Sequence, residues 1–192
     1  MRNSIALDST RLQRLQQTPL WDFALALYAK PGVETACLTL QDEAGLDVCE
    51  LLFHCWLYSS GLQASSTALA SEREQRRWWQ CHVTAVLRGL RRDLKASAAE
   101  SGSVIALRNT IKQAELMAER ENLQRWQKWA LEAPNAEERV VNVVEKTPDA
   151  AKWLLKQLLF SPHGDLSEEH LKQRYTWFEP LQTLTCQLDP HQ

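Results

Sequence analysis

The sequence is poor in residues that turn a chain. It holds six Gly and seven Pro in 192 residues, whereas a β-sandwich or barrel needs a turn signal every ~8–12 residues. All-β architectures are excluded on that ground. A long hydrophobic run is missing as well. The longest nearly apolar stretch, residues 51–58, already contains His54, and a membrane-spanning helix needs ~20 apolar residues. Residues 1–8 hold no continuous apolar segment of the signal-peptide kind. Excess charge of one sign is also lacking. Twenty-two basic and 24 acidic residues leave a formal net charge of −2, so the whole molecule is not a polycation for nucleic acid. The five cysteines, Cys37, Cys49, Cys55, Cys81 and Cys186, are odd in number and show no Cys-x-x-Cys spacing. They are expected to be reduced thiols in a cytoplasmic protein rather than a disulfide framework.

What the chain does contain is helical periodicity. Asp8-Ser-Thr before Leu12 and Leu15 predicts a short capped helix. Thr18-Pro19 reads as an N-cap followed by Pro at the first helical position, opening Leu20–Tyr28. Lys30-Pro31-Gly32 breaks the chain, and a further helix through Cys37 and Leu40 should end at Gly45 in a left-handed conformation. Asp47 and Glu50 have capping-box spacing for the helix carrying Leu51, Phe53 and Trp56. The Ser/Ala stretch from Gln63 to Ser71 reads as a flexible joint. From about Ser71 to Lys95 the pattern predicts one amphipathic helix. Trp79, Val83, Val86, Leu87, Leu90 and Leu94 form its inner face, and Arg73, Arg77, Arg88, Arg91, Arg92 and Lys95 the outer one. A second long helix, about Val104 to Leu131, would complete an antiparallel hairpin. The Val140–Val144 run is read as a short helix because Glu137, Glu138, Glu145 and Lys146 flank it, although β-branched residues also suit a strand. Thr147-Pro148 opens another helix, and Asp165 with Glu168 opens a last one, kinked or interrupted at Pro180, before a frayed tail.

The predicted fold class is all-α: a compact N-terminal helical group over 1–62, a long antiparallel hairpin over 63–132, and C-terminal packing helices over 133–192 that close the other side. The segments Leu20-Trp-Asp-Phe-Ala-Leu-Ala-Leu-Tyr-Ala29, Pro31-Gly-Val-Glu34, Ala36-Cys-Leu38, Leu40-Gln-Asp42 and Gly45-Leu-Asp-Val-Cys49 resemble an uncharacterised family of small bacterial proteins. Trp79, residues 86–91 and residues 115–123 extend the resemblance, which covers roughly 18–125. It implies a helical, soluble bacterial protein and supplies no catalytic residues.

Candidate chemistry is sparse. Residues 31–62 carry Glu34, Asp42, Glu43, Asp47 and Glu50 and no Lys or Arg. Converging carboxylates there would suit a divalent cation or an acid/base pair, but the preferred reading is that Asp47 caps a helix, Glu50 closes its capping box and Asp42 is a solvated turn residue. His54-Cys55 and Cys81-His82 are adjacent pairs, whose side chains diverge by ~100° on a helix, so neither chelates an ion alone. No metal centre, cofactor, Walker-type loop or nucleophile motif is expected. Residues 63–95 carry seven positive and three negative charges. Arg73, Arg77, Trp78, Arg88, Arg91, Arg92 and Lys95 are therefore the candidate partner surface. The expected function is a non-enzymatic adaptor or regulator that binds another protein with an acidic surface, a second copy of the chain remaining open as partner. A pocket lined by Asp22, Asp42 and Asp47, holding a small ligand or an all-helical active site, is the alternative. Nucleic acid on the arginine ridge is the second alternative.

Overall fold

A computed structural model describes residues 9–132, 136–143, 150–159 and 168–188. The N-terminal helices are α1 (Ser9–Gln17), α2 (Leu20–Tyr28), α3 (Val33–Ala44) and α4 (Val48–Ser59). A short strand β1 (Leu62–Ala64) precedes α5 (Ser66–Trp79), a π-helical turn (Gln80–Thr84), α6 (Ala85–Asp93) and the single turn α7 (Lys95–Ala98). Then come the long α8 (Gly102–Leu131), α9 (Ala136–Arg139), β2 (Val140–Asn142), α10 (Ala150–Leu159) and α11 (Glu168–Thr185). The fold is all-α apart from one two-stranded antiparallel pairing among the described residues, in which Leu62 faces Asn142 and Ala64 faces Val140.

Local chemistry sets most of the helix ends. Gly45 closes α3 at φ 65° and Gly32 precedes it at φ 80°, a region that side chains with a Cβ rarely enter. Gly32 is doubly constrained, since a Cβ there would lie 3.0 Å from Cγ2 of Thr183 on α11. Asp47 caps α4 by accepting a 2.8 Å bond from the Cys49 N–H. Its expected capping-box partner does not reach back. Glu50 turns instead to Arg73 of α5, whose Nε donates at 2.6 Å, because an interior carboxylate is held more strongly by a guanidinium than by one backbone N–H.

The core is built around α4, in which every residue from Val48 to Tyr58 is buried. Phe53 stacks on Trp126 of α8 at 4.6 Å between ring centroids and meets Trp129 edge-on at 5.9 Å. Tyr58 lies against Trp153 of α10 at 4.7 Å. The α3 helix is covered by α11, which buries Leu181 and Leu184, and Leu188 just beyond it is buried as well. Trp126, Trp129 and Trp177, which the sequence places beside charges, are core residues.

Three expectations are corrected. The Val140 run begins as strand β2 and not as a helix, because Val140–Asn142 finds an edge at β1 and β-branched side chains suit a pleated surface. The Ser/Ala stretch is no joint. It forms β1 and the start of α5, and the Ser65 N–H donates to the Arg139 carbonyl at 2.7 Å. The helix expected over 71–95 runs from Ser66 to Asp93 but changes pitch at Gln80–Thr84. The caps expected at Thr147-Pro148 and Asp165, and the tail from Asp189, lie outside the described residues. Phe53→Ala removes the ring that joins α4 to both α8 tryptophans. It should cost about 3–5 kcal/mol of stability, read by urea denaturation; a loss below about 1 kcal/mol would contradict this core.

Candidate functional site

The π turn decides where the arginines go. On α5 the inward positions include Leu69 and Arg76, and a uniform 3.6-residue helix would continue them through positions 83, 87 and 90. One extra residue in a π turn rotates everything after it by about one helical position, ~100°. The buried residue of the turn is accordingly Thr84, and the next inward side chains are Arg88 and Arg91. Val86 is left 52% exposed and Leu90 48% exposed. The expected outer ridge of guanidinium groups is therefore not formed, and part of the expected inner face meets solvent.

Arg73 pairs with Glu50 and donates to the Gln157 carbonyl at 3.0 Å. Arg88 reaches α8, where Nε donates to Glu115 at 2.9 Å and Nη2 to Glu119 at 2.7 Å. Arg91 forks onto both oxygens of Glu115. Arg92, half exposed, bonds Asp42 of α3 at 2.9 Å. Arg77 and Lys95 are exposed, and no ion pair holds either among the described residues. Trp78 is 58% exposed and stacks on His82 at 4.9 Å. Arg88 and Arg91 thus form a fork-to-fork cluster with Glu115, itself only 6% exposed. Charge-assisted bonds of this kind contribute more than neutral ones, about 1.5–3 kcal/mol each before desolvation is counted.

This cluster borders a cavity of about 250 Å³. The α2 helix contributes Trp21, Leu25 and Tyr28, and α3 contributes Leu38 and Gln41. The start of α4 supplies Asp47, Val48, Cys49 and Leu52, while Gln80, Arg88, Arg91 and Arg92 come from the bulged helix. Glu115, Leu116, Glu119 and Leu123 of α8 complete it. Leu25, Leu38 and Leu116 are 51%, 44% and 44% exposed, so this lining is apolar surface left open. Of the three pocket carboxylates expected from the sequence, only Asp47 lines this cavity. Asp22 is on the exposed side of α2, and Asp42 is exposed in its pair with Arg92. Trp21, Tyr28, Cys49, Gln80, Glu115 and Glu119 were not singled out by the sequence as pocket residues. The packing of α2, α4 and the bulged helix on α8 brings them together, and no local motif announces the π turn.

The interior is tuned towards neutral groups. Burial, followed by the charge of Glu50, pushes the Asp47 carboxyl up to about 7 against the N–H bonds that lower it. Burial also raises Glu119 and lifts the Cys49 thiol well above its usual range. Burial and then Cys37 raise Tyr28. Glu115 is the exception. Burial would raise it, but hydrogen bonds from Arg91 and Arg88 outweigh that and hold it below the usual carboxylate range. Among the described residues no cluster of His, Cys, Asp and Glu is arranged to hold a metal ion. No helix among them is long and apolar enough to cross a membrane.

With the geometry in place, comparison with known proteins adds one finding. A family model described as a protein of unknown function, DUF2390, matches residues 19–126. The match contains every residue that lines the cavity and excludes α10 and α11. No curated protein and no solved structure matches the chain.

Asp47 yields a pH prediction. Its folded carboxyl titrates near 7 against an ordinary value of 3.8, so the native state holds the proton more tightly than the unfolded one. That contribution is fully present below the unfolded value and is lost as pH rises through the folded one. Asp47→Asn keeps a capping side chain and does not titrate. Its melting temperature relative to the parent should therefore rise between about pH 4 and pH 7; a difference that stays flat across that range would refute the assignment.

Proposed function

We propose that this chain, which belongs to the DUF2390 family, is a binding protein for a small, mainly apolar molecule held in the cavity between α2, α3, α6 and α8. The observation that carries this reading is the cavity's composition. Apolar side chains from three helices stay half open around a space of about 250 Å³, and covering such surface stabilises a complex by roughly 25 cal/mol per Å². The cavity's polar groups include Gln41, Asp47, Gln80 and the cluster of Arg88, Arg91, Glu115 and Glu119, and polar groups in a largely apolar pocket fix the orientation of a ligand. Gln80 Oε1 is buried beside the cavity with no hydrogen-bond partner, which leaves an acceptor for a ligand donor. The Asp47 carboxyl, pushed up to about 7 by burial, is a donor in its protonated form. The five unpaired thiols, three of them buried, support a reducing bacterial cytosol as the setting.

The test uses phenylnaphthylamine, an uncharged probe that fluoresces when it leaves water. It should bind with one-to-one stoichiometry, and Leu116→Trp, which fills the cavity, should abolish binding while the far-UV circular dichroism and melting temperature are retained. Absence of saturable binding to the parent chain, or unaltered binding to the filled variant, would overturn the reading.

One observation favours a second reading, the adaptor. Trp78, Val86 and Leu90 are exposed along the outer side of the bulged helix, and exposed Trp is favoured at protein contacts. Unpaired Arg77 and Lys95 would meet an acidic partner. On this reading the contact is an apolar stripe with cations at its edge, not the arginine ridge. A partner retained from bacterial extract at physiological ionic strength should be lost with Trp78→Ser/Leu90→Ser and kept with Leu116→Trp; retention by the double variant would refute it. Nucleic acid has the least support, because Arg73, Arg88, Arg91 and Arg92 are engaged by carboxylates of the chain itself.

A further inference from the structure

A second concavity adjoins the cavity. It measures about 540 Å³ and shares Leu38, Arg91, Arg92, Glu115, Leu116 and Glu119 with it. Lys95, Arg108 and Lys112 extend it along α7 and the first half of α8. The two spaces therefore share one boundary.

Charge divides unequally between them. The outer trough is lined by five cations and four carboxylates. Three of those carboxylates are already engaged: Glu115 by Arg88 and Arg91, Glu119 by Arg88, and Asp42 by Arg92. Glu34 is the fourth. Lys95, Arg108 and Lys112 make no ion pair among the described residues, and the Arg108 Nε is directed to the Arg91 carbonyl at 3.1 Å. Three uncompensated cations thus stand against one uncompensated carboxylate, beside a cavity whose own three arginines are each paired with a carboxylate.

We infer that the ligand is a small amphiphilic anion, with an apolar or aromatic body in the inner cavity and a phosphate, sulfonate or carboxylate end in the Lys95–Arg108–Lys112 trough. This rests on the cavity reading and adds the charge and orientation of the ligand. The apolar part leaves water between α2, α3 and α8. The anionic end stays partly hydrated beside exposed lysines, where the desolvation cost of an ion is small. Arg91 and Arg92, which line both spaces, mark the boundary between the two parts. Attraction from the trough also raises the rate at which anions reach the opening.

The experiment compares two probes that differ by one charged group, phenylnaphthylamine and anilinonaphthalene sulfonate, each titrated by fluorescence. The sulfonate should bind more tightly, at the same one-to-one stoichiometry, and each probe should displace the other. Lys95→Glu/Lys112→Glu should weaken the sulfonate about tenfold and leave the uncharged probe unchanged. Raising the salt concentration should act in the same direction as the variant. Inorganic phosphate alone should compete weakly with the sulfonate and decanoate strongly, which separates an amphiphile from a bare anion. If the uncharged probe binds and Leu116→Trp abolishes it, but the sulfonate gains nothing or is indifferent to the lysine reversal, the cavity reading stands and this inference falls. If phosphate competes as well as decanoate does, the amphiphile assignment falls. If neither probe binds, both readings fall together.

Discussion

Five residues, Gln80–Thr84, fix the register on which the cavity depends. Without the additional residue in that turn, Val83, Leu87 and Leu90 would be directed at α8, and Arg88 and Arg91 would be carried outward. With it, Arg88 and Arg91 fall opposite Glu115 and Glu119. The Trp79 indole N–H donates to the Ala118 carbonyl at 3.0 Å, and the Arg125 guanidinium lies 4.0 Å over the Trp79 ring. These contacts pin the helix against α8 just before the turn, so the rotation falls on α6 and leaves α5 in place.

The ion cluster that results also accounts for the character of the cavity. Arg88 and Arg91 neutralise Glu115, which keeps its charge despite burial. Asp47 receives only a weak contribution from Arg88, and burial with the charge of Glu50 dominates its titration. The outcome is a lining in which Glu115 is locked in an ionic fork and Asp47, its carboxyl pushed up to about 7, accepts a bond from the Cys49 N–H. A cavity with this wall presents little net charge to an apolar occupant. The uncompensated positive charge lies further out, on α7 and the first half of α8.

Helix positions and caps were legible in the sequence because they depend on near neighbours. Gly45 in the left-handed region and Asp47 at the start of α4 follow from the chemistry of one or two residues. So does the burial of α4, whose apolar side chains surround the helix. What was not legible depends on residues distant in the chain. Val140 became a strand because β1, far earlier in sequence, offers an edge. Glu50 left its capping role because Arg73 arrives from another helix. The arginine ridge rests on a constant period, whereas the helix changes period at Gln80–Thr84 and turns Arg88 and Arg91 inward. Asp22, Asp42 and Asp47 were grouped by proximity in sequence, yet α2, α3 and α4 direct them to different places.

The register also has to be weighed energetically. An uninterrupted α-helix would bury the exposed halves of Val86 and Leu90, which is worth about 1 kcal/mol each, and would avoid the π turn. Against this stand the bonds of Arg88 and Arg91 to Glu115 and Glu119, whose gross gain is several kcal/mol but from which the desolvation of the ions must be subtracted. Buried ion clusters come out near even with apolar packing of the same volume. Stability alone therefore gives little reason to prefer one register. The two differ far more in what they set beside the cavity. The uniform helix would wall it with Val83, Leu87 and Leu90 and leave Glu115 and Glu119 without partners. The bulged helix supplies a matched ionic wall, the buried acceptor of Gln80, and a boundary at Arg91 and Arg92 shared with the basic trough. The turn is thus close to neutral for folding and decisive for the wall of one cavity.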